Sequence, residues 1–281
     1  MKPSPPARRL AAMILAAALA GACAAPAMAD YQQEMQIGQQ VFQHLAQKGE
    51  ILSNSPYYAT LNPIAQRIKL VTDSQYFTPF HFIIVHENQP NAFAVPGGNV
   101  YVTDSLMRFV KNKEELAGVL CHETSHDIHH DVMNLYAQNQ RLSLYATGLS
   151  ILLGGRVPWA GSLINFAANT ESMHFSRNVE EAADQKGAQT CAQAGLDPYG
   201  MVWLMQAFQT SNLRNPPEFL SDHPSDAHRI AALENEFVTT PAIFGRFNPN
   251  IACGTPLSYN GFYNQYNDSC GITRRQPIGR P

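Results

Sequence analysis

Charge is scarce in this 281-residue chain: only 15% of its residues are Asp, Glu, Lys or Arg, and they sum to −3. That balance excludes a strongly basic nucleic-acid binder. The chain has no run of like charge and no internal repeat, and its 18 Gly and 19 Pro are scattered enough to exclude a long coiled coil. With only five cysteines it is not a small disulfide scaffold. Neither the apolar run Leu10 to Leu19 nor either half of 142–169 is long enough to cross a bilayer comfortably. What remains is 45% hydrophobic and 10% aromatic, enough for a packed core and incompatible with a disordered or collagen-like chain. The length suits one large domain or two small ones.

Residues 1–29 read as an export leader. Lys2, Arg8 and Arg9 form a positive start, Leu10 to Leu19 an apolar run, and Ala27-Met28-Ala29 a small-residue cleavage site. Removing this leader takes away three bases and no acid, moving the net charge from −3 to −6. The domain assignment is then 1–29 leader, 30–240 main domain and 241–281 irregular tail. Leu19-Ala20-Gly21-Ala22-Cys23 resembles a lipobox with its Leu one position too far from the Cys, so lipidation at Cys23 ranks second to cleavage. Either reading places the mature protein in the periplasm.

An exported chain can keep disulfides. Cys253 and Cys270 lie in a Gly/Asn/Tyr-rich tail and are the first-choice pair, whose loop closure would stabilise by roughly 3 kcal/mol. Cys121 and Cys191 fall in apolar helical patterns. They read as buried thiols, or as a bridge if their helices are neighbours.

The periodicity predicts helices over 31–48, 56–71, 113–131, 177–194, 198–209 and 225–236. Strands are predicted over 80–85, 91–95 and 99–103, the last two joined by a Pro96-Gly97-Gly98 turn, and Asp104 or Ser105 caps a short helix through Val110. The fold class is therefore α+β, mostly helical, with a small β-sheet beside the helix of 113–131. Residues 142–169 carry a single formal charge, Arg156. They read as a buried hairpin, or as a surface touching lipid or an envelope protein. Beyond 240 no regular structure is expected.

His122-Glu123-Thr124-Ser125-His126 lies inside the strong helix. Four residues make about one turn, so both imidazoles leave the same face and can share a zinc ion. Glu123, one residue along, flanks the metal and can take a proton from water activated there. A metzincin would need Gly at 129 and His at 132, where this chain has His129 and Val132. His129 and His130 read as polar residues of the helix end, with Asp131. The third ligand must come from elsewhere. Glu180, with Asp184 one turn later, fits a ligand plus a carboxylate that holds a ligating imidazole; Glu181 competes for the ligand role.

His122-Glu-x-x-His126 followed by Ser176-Arg177-Asn178-Val179-Glu180-Glu181-Ala182-Ala183-Asp184 resembles the M48 family of zinc metallopeptidases. Asn91 to Thr103 resembles the family's strand pair before the zinc helix, and His223-Pro224 with Arg229-Ile230 its HPxxxxRI element. These segments span residues 91–230 in the family's order. The resemblance implies a zincin-like domain with one Zn²⁺ per chain held by His122, His126 and Glu180, Asp184 supporting that shell and Glu123 as general base. It implies that His223 and Arg229 stabilise the oxyanion or hold substrate, and that His223 can cap the metal at rest. An extended substrate would pair along Ala92, Phe93, Ala94 and Val95 or along Asn99, Val100 and Tyr101. The multispanning parts of Ste24- and HtpX-type members are absent, which places the chain nearer the soluble, exported BepA- and LoiP-like branch. No TPR-like repeat follows residue 240, unlike BepA-type chains. The expected function is cleavage of misfolded or unassembled envelope proteins. The alternative is a zinc-dependent chaperone or assembly factor without proteolysis. No nucleic-acid partner is expected.

Overall fold

The computed structural model describes residues 26–138, 175–211, 219, 223 and 227–257. Eight helices are named among them: α1 (Pro26–Lys48), α2 (Tyr58–Thr72), α3 (Asp104–Phe109), α4 (Lys113–Ile128), α5 (Arg177–Gln193), α6 (Tyr199–Thr210), α7 (Ala227–Thr239) and α8 (Pro241–Phe244). Three strands, β1 (His81–Val85), β2 (Ala92–Val95) and β3 (Asn99–Thr103), form one sheet in the order β1-β3-β2. β1 runs parallel to β3 and β2 antiparallel. The fold is thus α+β and mostly helical, as the pattern of elements predicts.

Alternation along the strands divides the core in two. Ala92, Ala94, Val100 and Val102 face the larger core with α2, α4, α5, α6 and α7. Phe93, Val95 and Tyr101 face the other way, against Ile37 and Val41 of α1. The sheet is therefore a layer between α1 and the helical body. The β2–β3 turn holds Gly97 and Gly98 at φ of 99° and 84°, a region other residues enter only under strain.

α4 starts firmly. Asn112 accepts from the Glu115 N–H at 2.8 Å, while the Glu115 carboxylate accepts from the Lys111 N–H at 2.7 Å. Its sides are sealed by α5 and α6, so its inner turns are buried all round. It stops at Ile128, short of the expected 131, because His130 turns left-handed at φ 55° and the chain resumes helical only at 131–138.

α4 and α5 are adjacent, and Cys121 and Cys191 are bridged across them. Cys253 is also disulfide-bonded; its expected partner Cys270 lies outside the described residues, as do the leader through residue 25 and the segment 142–169. α1 begins at Pro26, before the expected cleavage point. The described part of the tail is more ordered than its composition suggests. α8 buries Phe244, a 3₁₀ turn covers Ile251–Cys253, and Trp203 Nε1 donates to the Pro249 carbonyl at 3.1 Å. Glu114 accepts from the Thr255 N–H and hydroxyl, each at 2.7 Å. No helix among the described residues is long and apolar enough to cross a membrane.

Candidate metal centre

The site sits where α4 meets α5. Gly187 makes the close approach possible: a Cβ there would lie 3.0 Å from the His122 backbone N and 3.1 Å from the Cys121 carbonyl. One helical turn separates His122 from His126, and their Nε2 atoms lie 3.1 Å apart. Glu180 of α5 reaches both rings, 3.5 Å from His122 Nε2 and 3.8 Å from His126 Nε2. His223 completes the group, its Nδ1 2.9 Å from Glu180 Oε1 and 3.3 Å from His122 Nε2. One donor atom from each of these four buried residues lies within 4.8 Å of every other.

Each imidazole of the pair has a carboxylate behind it. Asp184 Oδ1 is 3.0 Å from His122 Nδ1, and Asp131 Oδ2 is 2.8 Å from His126 Nδ1. The Asp131 hydrogen bond selects the Nδ1–H tautomer of His126 and leaves its Nε2 lone pair pointing inward, and the Asp184 charge favours the same form of His122 without a well-aligned hydrogen bond. Two inward lone pairs at 3.1 Å repel unless something positive lies between them. The residues present therefore fit a divalent cation, and the mixed His/Glu donor set suits zinc. The same attraction for positive charge shows at His122. Burial alone would lower its pKa, yet Asp184 and Glu180 raise it to about 10. Burial lowers His126 and takes His223 to about 4. Against their burial, His223 and His122 hold the Glu180 carboxyl well below the usual carboxylate range, and Arg229 and His122 do the same for Asp184.

Glu123 sits beside the donors. Its Oε2 accepts from the Ala94 N–H at 3.0 Å, while Oε1 is buried without a hydrogen-bond partner, 3.5 Å from His223 Nε2. Burial pushes its carboxyl up to about 8, the charge on Glu180 adding to the rise and His122, the Ala94 N–H and Arg229 opposing it. Phe175 stacks on the His126 ring, with centroids 4.5 Å apart, and Phe219 lies 5.0 Å from His223.

Arg229 is 1% exposed. Its Nε and one terminal nitrogen donate to Asp184, each at 2.7 Å, and the other terminal nitrogen is 2.7 Å from Glu180 Oε2. The guanidinium expected at the oxyanion is thus engaged by the two carboxylates. Of the expected substrate strands, only β2 has an open edge. β3 is central, so the backbone groups of Asn99, Val100 and Tyr101 are taken by β1 and β2. In β2, Phe93 and Val95 bond to β3, and Ala92 and Ala94 turn outward towards Glu123. Glu181 pairs with His228 at 3.0 Å, away from the cluster. His130 Nδ1 meets Glu34 Oε1 of α1 at 2.8 Å, and His129 lies 3.9 Å from Asp131. Asp131 and the Ala94 N–H are the contacts that motif reading missed.

Fold and donor set together define an HExxH metallopeptidase domain. The family model of peptidase family M48 matches residues 59–237, and the chain belongs to that family. It is 32% identical over 212 residues to the beta-barrel assembly-enhancing protease of Yersinia pestis, and 31% identical over 212 residues to that of Escherichia coli (strain K12). Each match covers 72% of this chain and 43% of the relative. It is 30% identical over 155 residues to the mitochondrial metalloendopeptidase OMA1 of Schizosaccharomyces pombe, covering 54% of this chain and 44% of that protein. The chain thus spans less than half the length of these curated relatives.

Proposed function

We propose that this chain is a zinc-dependent endopeptidase of the cell envelope, cutting misfolded or unassembled envelope proteins in the periplasm. The observation that carries this reading is the convergence of His122, His126, Glu180 and His223 within 4.8 Å, beside a buried Glu123 with one oxygen unpartnered. His122, His126 and Glu180 would hold the ion, one per chain. Zinc bound there supplies a Lewis acid that acidifies water and polarises a carbonyl.

The chain's own residues do the rest. Glu123 takes the proton of the attacking water and passes it to the leaving amine. An extended substrate pairs with the outward groups of Ala92 and the Ala94 carbonyl, the Ala94 N–H being held by Glu123, which sets its scissile bond beside Glu123. Main-chain pairing of this kind reads few side chains, which suits a protease for unfolded clients. Asp184 and Asp131 orient the two imidazoles. Arg229 is a positioning residue that fixes Glu180 and Asp184. His223 serves the oxyanion, and its place among the four donors supports a second role, a latent state in which it occupies the open ligand position until a client or partner displaces it.

The envelope client is supported by the name of the bacterial relatives and the export leader read from residues 1–29. The test is zinc content and cleavage of a denatured, casein-like chain by wild type, Glu123→Gln and His223→Ala. Glu123→Gln keeps zinc and loses cleavage by 10²–10⁴-fold, on the order expected for a general base; His223→Ala changes zinc exchange or activity. If Glu123→Gln still supports envelope function, the non-proteolytic chaperone reading replaces this one.

A further inference from the structure

The second edge of the sheet, on β1, is covered at its far end, where Ile51 bridges Val85, and is unpaired among the described residues only at Phe82. The His81 N–H donates to the Gly98 carbonyl at 2.7 Å, so in this parallel ladder His81, Ile83 and Val85 turn their backbone groups to β3. Phe82, Ile84 and His86 turn theirs outward. The Ile84 N–H donates to the Tyr58 hydroxyl at 3.0 Å, the Ile84 carbonyl accepts from the Leu52 N–H at 2.9 Å, and the His86 N–H donates to the Glu50 carbonyl at 2.7 Å. The N–H and C=O of Phe82 have no partner among the described residues.

They open onto a groove of about 1050 Å³ between α1 and α2. Met35 and Phe42 rise from α1 on one helical face and remain 47% and 41% exposed. Phe82 and Ile83 contribute apolar surface from β1. The polar lining is mostly side-chain amide, as at Gln39 and Gln66; its basic members are His81 and Lys69, whose ammonium is paired with Asp73 at 3.2 Å and donates to the Phe80 carbonyl, and no carboxylate is part of it. This edge is opposite the one that faces Glu123, because β3 separates β1 from β2.

We propose that this groove is an exosite for an extended, uncharged, apolar-rich polypeptide segment. The segment adds a strand to β1 at Phe82 and sets alternate side chains against Met35 and Phe42. An extended main chain brings a donor and an acceptor spaced to meet both groups of one edge residue. The carboxylate-free walls offer a basic segment no partner, and Lys69, already held by Asp73 and the Phe80 carbonyl, compensates an acidic one little for its desolvation. The proposal rests on the protease reading only for its consequence: a client held at β1 raises the effective concentration of its remainder at β2.

The experiment measures anisotropy of a dye-labelled neutral Val/Phe/Gln peptide of about eight residues on full-length Glu123→Gln protein, which spares the probe from cleavage. Phe82→Pro removes the outward N–H without touching the β3 ladder. Phe42→Glu puts a charge on an exposed wall. Each change, and N-methylation of the peptide's central amides, should weaken binding at least tenfold. Should Phe82→Pro fail to fold, Phe42→Glu and the N-methylated peptide decide the matter. Binding indifferent to all of them overturns the proposal, even if wild type cleaves clients. Groove-dependent binding by a protein that cleaves nothing keeps the exosite and rejects the protease. In an active protein, Phe42→Glu should raise KM for a long unfolded chain at least tenfold and leave kcat/KM on a short peptide unchanged.

Discussion

Replacing Cys121 and Cys191 together by Ala tests how the two donor helices are held. The bridge spans a sequence separation of 70. On the chain-entropy model, opening a loop of that length returns about 15 cal/mol/K to the unfolded chain, or about 4 kcal/mol at 25 °C. Both cysteines are buried between α4 and α5, so the voids left by Ala add about 1 kcal/mol. A loss of about 5 kcal/mol lowers Tm by roughly 10–20 °C for a domain of this size. Urea unfolding of both proteins, oxidised and metal-loaded, reads the difference with the second bridge, at Cys253, kept in each. Cys121 directly precedes His122, and Cys191 lies on the helix that carries Glu180 and Asp184. The double variant should therefore also release zinc at lower chelator concentration. If thiol titration finds the bridge intact in wild type and the variant still unfolds within about 1 kcal/mol of it, the covalent link is not what holds the helices together.

Asp131→Asn should lower zinc affinity about 10–100-fold by loosening His126, with little change in the unfolding midpoint of the metal-free protein; a chelator competition measures it. Gly187→Ala forces a Cβ to 3.0 Å from the His122 backbone N. Separating α5 from α4 there should cost about 1–3 kcal/mol and reduce the zinc bound after dialysis, whereas an unchanged melt would show that the helices can yield. Asp197 is pushed from 3.8 up to about 6 by burial, against the N–H groups of Tyr199 and Asn248. The folded state therefore holds a proton that the unfolded chain has released, so this contribution is full below about pH 4 and falls by up to about 3 kcal/mol as pH rises through about 6. Asp197→Asn should flatten that slope in urea midpoints taken across the same range.

The sequence was most legible where one element explains itself. The β-branched and aromatic run Asn99–Thr103 foretells a strand, and the structure sets a core on each of its faces. The one-turn spacing of His122 and His126 foretells a shared face. What stayed hidden depends on neighbours. Nothing local in His81–Val85 says that β1 pairs with β3 and not β2, a choice that leaves β2 open beside Glu123. The Cys121–Cys191 bridge needs α4 and α5 to be adjacent, which no spacing declares.

Asp131 is the instructive miss. Had α4 run on through 131, a residue five positions past His126 would point well off the ring's face. The left-handed turn at His130 swings it back to 2.8 Å from Nδ1. Arg229 raises the same question of charge balance. Beside His122 and His126, Glu180 and Asp184 bring two negative charges into a buried volume, and Arg229 returns one positive charge. One unit remains: without a cation, a proton on His122, whose pKa Asp184 and Glu180 raise to about 10, balances it, and a cation between the rings would take that proton's place. A nearby ammonium or second guanidinium could supply the charge, but neither would put an electron-pair acceptor between two nitrogens 3.1 Å apart. A small divalent ion meets both requirements and reaches all four donors at once, which a proton on one ring does not, so the carboxylates around the imidazoles add to the HExxH spacing in marking this cluster as a candidate metal centre.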